Sequence, residues 1–392
     1  MESLEIIQNL DKSSMLILQN NVCGGYKMSS FNVNSDVLKS IVLKASKGAS
    51  NSKFSAITSL MNVVVENGKI SVTTTDSNNY LTITDNIVSG EDTSFTVNVD
   101  TFSKLVAKTS VDSIKISVSD DMISFTGNGT YKLPIQLDVD GSPIKYPKHD
   151  INNPEFSGTT KTSVIKGIIF HNKPSLALTM EAPYLTGYLC TPDDVVSADS
   201  YNICLSEYKT FDTKVLLPPV VLEILSMVTE EDISYKIYGN NILFETSSMK
   251  YFTVTMDGID EYPYDTIVGI CKTDYPSNCV LPKTAVLNTL DRLSLFIKDN
   301  DINGVYMTFT DKGVIFESIN NSGTETIPYQ GSNNFKNYTC CVGVEPLKKQ
   351  ISAHAGESIE LHYGGENSIT IKDQNITQVI SLMDDPRESN EE

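Results

Sequence analysis

The chain has 392 residues, 40% hydrophobic and 20% charged, with a formal net charge of −19. That length accommodates two or three domains with real cores, and the composition is that of an ordinary soluble protein. The acidic balance argues against a protein coated in nucleic acid, while leaving room for a local basic surface.

No apolar run reaches the ~18 residues of a membrane helix. The N-terminus lacks the basic, apolar and small-residue order of a secretion signal, so a cytoplasmic chain with no membrane partner is expected. The seven cysteines are Cys23, Cys190, Cys204, Cys271, Cys279 and the adjacent Cys340 and Cys341. No C-x-x-C occurs, so reduced thiols are expected rather than a zinc or dithiol site. The four histidines, His149, His171, His354 and His362, show no H-x-x-x-H spacing. No metal and no cofactor is expected.

In chain order, residues 1–26 read as an N-terminal extension, with a turn at Asn20–Gly25. Ser30–Val33 alternates as a strand. Asn34 or Ser35 can cap a helix whose apolar face is Val37, Leu38, Ile41, Val42 and Ala45. Strands follow at Leu60–Val65, Ile70–Thr75 and Leu81–Val88, the first two joined by an Asn67-Gly68 hairpin. Phe95–Val99 alternates, and Asp100 can cap a helix carrying Phe102, Leu105, Val106 and Ala107. Strands Ile114–Val118, Met122–Phe125 and Tyr131–Leu137 close the first third.

Ile151–Pro154 reads as a linker. A helix near Lys161–Asn172 opens the second third, followed by strands at Leu176–Glu181, Leu185–Thr191, Val195–Ala198 and Asn202–Tyr208. After a strand at Val215–Leu217, Pro218 and Pro219 suit the first turn of a helix that continues to Val228. Strands Ile233–Tyr238, Ile242–Thr246 and Tyr251–Met256 follow. The last third repeats the layout. Strand Cys279–Leu281 leads into a helix with stripe Val286, Leu287, Leu290, Leu293 and Phe296. Next come strands Val305–Thr310, Val314–Ile319, Thr324–Pro328 and Tyr338–Val342. A helix at Pro346–Ala353 precedes strands Ile359–Tyr363, Ser368–Ile371 and Gln378–Leu382. An acidic tail ends the chain.

The stretch Val196–Ile203 (VSADSYNI) echoes Val72–Leu81 (VTTTDSNNYL) and, more faintly, Phe316–Thr324 (FESINNSGT). Asp76, Asp199 and Asn320 recur at a period of about 120 residues, the mark of an internal repeat. Hairpin tips at Asp120-Asp121, Asn240-Asn241 and Glu366-Asn367 align as well. The expected fold class is α+β: three similar domains, each built from two βαβββ-like units, six in all. The expected boundaries are 1–26 extension, 27–150, 151–272 and 273–384 domains, and 385–392 tail.

No catalytic constellation stands out: neither G-x-x-x-x-G-K-[ST] nor G-x-S-x-G occurs, and the chain does not read as an enzyme. Asp76 and Asp199 are either repeated acids or, preferably, Asx caps of turns. The acidic run Glu230-Glu231-Asp232 is either a cation site or, preferably, a solvated helix end. Positive charge gathers on helices: Lys39, Lys44 and Lys47, then Lys104 and Lys108, then Lys161, Lys166 and Lys173, then Arg292 and Lys298, then Lys348 and Lys349. These are ordinary exposed helix residues or a shared face meeting phosphate without base readout. The helix near Val220–Glu231 carries Glu223 and no Lys or Arg, so the pattern fails there.

Several stretches resemble the bacterial β sliding clamp family, the processivity subunit of replicative DNA polymerase III. Pro183–Gly187 (PYLTG) with Ser197–Ile203 (SADSYNI) resembles that family's R-x-x-L-x-G … A-T-D-G-x-R-L. Leu216–Leu225 (LLPPVVLEIL) resembles I-P-x-K-x-L-x-E-L, Asp260–Pro263 (DEYP) with Asp265 resembles G-x-F-P-D-Y, and Val379–Met383 (VISLM) resembles V-x-M-P-M-R. The resemblance covers roughly Tyr26–Met383. It implies a homodimeric ring with helices lining the hole and sheets outside, threaded by duplex DNA and served by a DNA polymerase and a clamp loader ATPase.

It also implies a partner-peptide pocket between the second and third domains, walled by Leu185, Ala198, Ser200, Tyr201, Asn202, Ile203, Pro263, Val268, Val379, Ser381, Leu382 and Met383. An apolar, concave site with polar groups at its rim suits peptide anchors. The family's Gly-x-Arg is Ser200-Tyr201-Asn202 here, and its Met-Pro-Met-Arg is Ser381-Leu382-Met383-Asp384. A basic rim is thus neutral or acidic, which implies weak binding of host-type peptides and a dedicated polymerase. The divergence suggests a phage or plasmid copy. Two rival readings are a clamp-like interaction module that no longer encircles DNA and a viral structural β protein.

Overall fold

The computed structural model describes residues 28–50, 55–297, 303–331, 334 and 336–385. The expected extension 1–26, Lys298 and tail residues 386–392 lie outside the described residues. Two compact units divide the chain at His149 and Asp150.

One pattern recurs six times: a strand, a helix, then a three-stranded antiparallel meander. The first unit holds two copies. The first is β1 (Ser29–Asn34), α1 (Ser35–Ala45), β2 (Leu60–Glu66), β3 (Lys69–Thr75) and β4 (Tyr80–Asn86). After the two-residue strand β5 (Ser89–Gly90) comes the second: β6 (Thr93–Asn98), α2 (Val99–Ala107), β7 (Ser113–Val118), β8 (Met122–Thr126) and β9 (Thr130–Pro134).

The second unit holds four copies. They begin with β10 (Phe156–Lys161), α3 (Thr162–Asn172), β11 (Tyr188–Cys190), β12 (Val195–Ala198) and β13 (Asn202–Ser206). Next are β14 (Val215–Leu217), α4 (Pro219–Leu225), β15 (Asp232–Tyr238), β16 (Asn241–Glu245) and β17 (Met249–Val254). One extra helix, α5 (Tyr264–Cys271), precedes β18 (Ser277–Pro282), α6 (Lys283–Ser294), β19 (Gly304–Phe309), β20 (Val314–Ser318) and β21 (Thr324–Ile327). The last copy is β22 (Tyr338–Gly343), α7 (Val344–Ser352), β23 (Ser358–Tyr363), β24 (Ser368–Asp373) and β25 (Ile376–Ser381).

Consecutive copies exchange their leading strands. β1 pairs with β7 while β6 pairs with β2. β10 pairs with β15 while β14 pairs with β11, and β18 pairs with β23 while β22 pairs with β19. Neither member of a pair completes its own sheet, so the two members of each pair are interlocked. The helices of each pair, α1 with α2, α3 with α4 and α6 with α7, pack together. Their apolar faces are buried, as at Leu38, Ile41 and Val42 of α1 and Val286, Leu290 and Leu293 of α6. Within the second unit β13 also pairs with β25, joining two meanders into the eight-stranded sheet β14-β11-β12-β13-β25-β24-β23-β18.

Aromatic rings thread the cores. In the first unit Phe95 lies 6.5 Å from Phe31 and 6.4 Å from Phe102, which is 6.3 Å from Phe125. The chain of rings links both sheets through α2. In the last pair Phe309 stacks on Tyr363 at 3.7 Å. Edge-to-face and offset packing of this kind adds to the stabilisation from the area buried.

Several expectations are corrected. Leu176–Glu181 is not a strand: its alternation has no partner edge, and Leu178 and Met180 are 89% and 72% exposed. Leu185–Thr191 shortens to β11 because Pro183–Thr186 winds into a 3₁₀ turn. β10 is a strand the alternation does not predict, because its sequence, FSGTTK, is polar. α2 is capped by Asn98, whose Oδ1 accepts the Thr101 N–H, while Asp100 sits in the first turn and pairs with Lys104. α1 is capped by Asn34 rather than Ser35. α4 stops at Leu225, three residues short of Val228. Phe296 lies beyond the end of α6 and is exposed rather than part of its stripe.

Candidate partner-binding cleft

The repeated turn is built by its aspartate. Asp199 Oδ1 accepts the N–H groups of Tyr201 at 2.7 Å and Asn202 at 2.6 Å, and the Asp199 N–H closes the turn on the Asn202 carbonyl at 2.9 Å. Asp76 does the same with Asn78 and Asn79. In the third segment Asn320 Oδ1 accepts the Ser322 N–H. Both aspartates are Asx caps. Likewise Glu230 serves the chain itself: it accepts from Ser247 and Ser248, and despite desolvation these bonds hold its carboxyl down to about 2.

The 199–202 turn forms one wall of a cleft of about 470 Å³. β13 sets Ile203 opposite Val379 of β25, and the Ser381 N–H donates to the Tyr201 carbonyl at 2.8 Å. A second wall is the 364–367 hairpin between β23 and β24, where Gly364 takes φ +101, a conformation glycine adopts without strain. The Leu382 N–H fixes this hairpin by donating to the Asn367 carbonyl at 2.9 Å. The third wall is the end of α5, with Ile270, Thr273 and then Tyr275, whose hydroxyl bonds the Ser368 hydroxyl at 2.7 Å.

The expected pocket residues fall into three groups. Ser200, Tyr201, Asn202, Ile203, Val379 and Ser381 line the cleft. Leu185, Ala198 and Val268 are not in the lining but share one apolar cluster with Ile203 and Val379. Buried Tyr262 and Cys271 belong to the same cluster, and burial pushes the Cys271 thiol up to about 12. Pro263 caps α5 and is exposed. Leu382 and Met383 are not in the cleft lining: Leu382 packs on the core of the last pair, and the Met383 N–H donates to the Cys341 carbonyl. Sequence reading missed Ile270, Thr273 and Tyr275 because α5 interrupts the repeat. The hairpin was visible only as the aligned tip Glu366-Asn367.

The helical cations divide as well. Lys39 pairs with Asp36, Lys104 with Asp100, Lys161 with Asp232, Lys173 with Glu223 and Lys348 with Asp291. Arg292 forks onto Glu325 of β21 at 2.6 and 2.7 Å, fastening α6 to that strand. Among the described residues Lys44, Lys47, Lys108, Lys166 and Lys349 make no ion pair. Lys173, at the end of α3, reaches Glu223 of α4, the helix without basic residues. Among the described residues no group of three or more His, Cys, Asp or Glu could hold a metal ion, and no helix is long and apolar enough to cross a membrane.

This architecture has known counterparts. The DNA polymerase sliding clamp of Bacillus subtilis superposes with a TM-score of 0.78 at 19% identity, over 91% of this chain and 100% of that one. DNA polymerase III beta subunit from Thermotoga maritima gives 0.77 at 14% identity over 91% and 99%. A sliding clamp from Pseudomonas aeruginosa bound to griselimycin gives 0.78 at 14% identity, again over 91% and 99%. No family model matches the sequence, and no curated protein matches it either. The fold is that of the sliding clamps. Within that class it is the DNA polymerase III beta-subunit architecture, carried by a sequence far from each of these three.

Proposed function

We propose that the protein is a DNA sliding clamp: a non-catalytic processivity factor that encircles duplex DNA and tethers a DNA polymerase. The observation that carries this reading is the six interlocked copies, which superpose on a sliding clamp over that protein's whole length. In this reading the domains are 27–150, 151–272 and 273–384, one per strand-exchanged pair.

Two copies would close the ring. Within the chain, the last strands of two meanders, β13 and β25, pair edge to edge. β9 and β21 are also last strands, and each ends its sheet. An open edge is a template for pairing, and two such edges on each copy allow a closed two-fold dimer. A clamp loader ATPase would open that joint. Lys44, Lys47, Lys108, Lys166 and Lys349 are the cations left to meet phosphate loosely. The cleft would hold a peptide of the polymerase.

Light scattering tests the ring. Two copies, a mass of about twice 43.1 kDa, are expected at micromolar concentration. A single-copy species at every concentration would remove the reading. One observation favours a second reading, an interaction module that no longer encircles DNA: six of the expected DNA-facing cations are already engaged by carboxylates. On that reading the dimer forms but DNA is not held.

A further inference from the structure

Two features of the cleft specify the chemistry of what it takes. The first is charge. Asp199 and Glu366 are its ionisable carboxylates, and none of its lining residues is basic. Glu366 is exposed at the hairpin tip and makes no ion pair among the described residues. Asp199 commits Oδ1 to two backbone N–H groups, while among the described residues Oδ2 meets only the Asn202 amide, at 3.4 Å. Both carboxylates therefore keep acceptor capacity for a ligand. Lys272 and Asp274, which flank Thr273, are of opposite sign and offset one another.

The second feature is an unmet acceptor. Asn202 is 3% exposed, and its Oδ1 is buried without a hydrogen-bond partner among the described residues. Leaving such an oxygen without a donor is destabilising, and an arriving N–H removes the penalty. Beside it Ile203, Val379 and Ile270 offer apolar surface, and the Tyr201 ring stands 63% exposed over the opening.

We propose that this cleft selects an extended peptide of a partner protein that sets a lysine or arginine against Asp199 and Glu366 and turns an N–H toward Asn202 Oδ1. An apolar side chain of the peptide rests on Ile203 and Val379. The inference rests on the clamp reading and adds the sign of the partner's charge. Complementary charge selects the partner, and a peptide with acidic flanks meets like charge on two sides.

The test uses the full chain and two labelled hexapeptides sharing one alternating apolar core, Lys-Lys-Ser-Leu-Ser-Leu and Glu-Glu-Ser-Leu-Ser-Leu, whose leucines supply the apolar side chain, followed by fluorescence anisotropy. The lysine peptide binds about tenfold tighter at low salt, and the advantage shrinks at high salt. Glu366→Lys leaves Asp199 as the one carboxylate against an added cation and removes the preference. Asn202→Leu weakens both peptides about fivefold without changing the preference, since it removes the acceptor the free protein leaves unpaired; Asn202→Asp, which keeps an acceptor oxygen at this position, weakens them less.

Equal binding, a preference for the glutamate peptide, or a preference that survives Glu366→Lys overturns the charge assignment. An Asn202→Leu protein that binds as well as the parent overturns the assignment of the acceptor. If neither peptide binds while the chain still holds DNA, the cleft proposal fails and the clamp reading stands. If the lysine peptide binds as expected while the chain stays a monomer that releases DNA, the clamp reading fails instead.

Discussion

Asp199 directs its carboxylate at backbone N–H groups, and the site depends on that local bond. Without it, Tyr201 and Asn202 lose the acceptor that holds the 199–202 wall. Asp199→Ala should cost about 1–2 kcal/mol in urea unfolding and weaken peptide binding in parallel. Unchanged stability would show that the turn is held by its strands alone. His354 poses a different residue-scale question. It is buried and donates from Nε2 to Gln378 Oε1, and it faces Asp373, His171 and Lys283. Burial holds its pKa below the ordinary 6.5, although Gln378 and Asp373 pull the other way. The folded state therefore binds fewer protons than the unfolded chain below pH 6.5. Stability should be full near neutrality and fall as pH drops through that value. His354→Gln should flatten the decline between neutrality and pH ~5. An unchanged slope would assign the decline to the other histidines.

At the scale of elements, the helices carry two kinds of cation. Arg292 and Lys348 fasten α6 to β21 and to α7 respectively, while Lys44 and Lys166 have no partner among the described residues. Lys44→Glu or Lys166→Glu should weaken DNA association and lower its salt slope by about 1 for each phosphate that is no longer neutralised. Arg292→Ala should lower thermal stability and leave the salt slope alone. The reverse pattern would place the DNA-meeting face elsewhere.

The alternating strands, the Asn67-Gly68 hairpin and the amphipathic helices were legible because each is a local consequence of side-chain period or turn chemistry. β10 was not, because its residues are polar. Nor was α5, which lies outside the repeat. The cleft was half legible. Its 199–202 wall belongs to the repeated turn, whereas Tyr275 and the 364–367 hairpin arrive through the β13–β25 pairing, which no local pattern encodes. Charge counting along the sequence also overestimated the free positive face, because Glu223, Glu325 and Asp291 reach cations from neighbouring elements.

At the scale of the whole molecule, the clamp reading rests on repetition. Leading strands are exchanged within each pair of copies, and last strands are the edges by which meanders join, as β13 and β25 do. The open edges β9 and β21 are where a second copy would add. Proline on an edge strand removes a ladder donor that the edge would offer to an incoming strand. Thr326→Pro on β21 should therefore shift the dimer toward monomer while the fold persists. Light scattering with circular dichroism would check both halves of that outcome.

Encirclement itself is tested most directly by topology. Linear duplex DNA is fixed at one end to a bead, protein threads over the free end, and a bulky protein then blocks that end. After a high-salt wash that strips electrostatic binders, the account predicts that the chain stays on the DNA and leaves when a restriction enzyme cuts the duplex. Release of the protein in the salt wash, with the end still blocked, would contradict it.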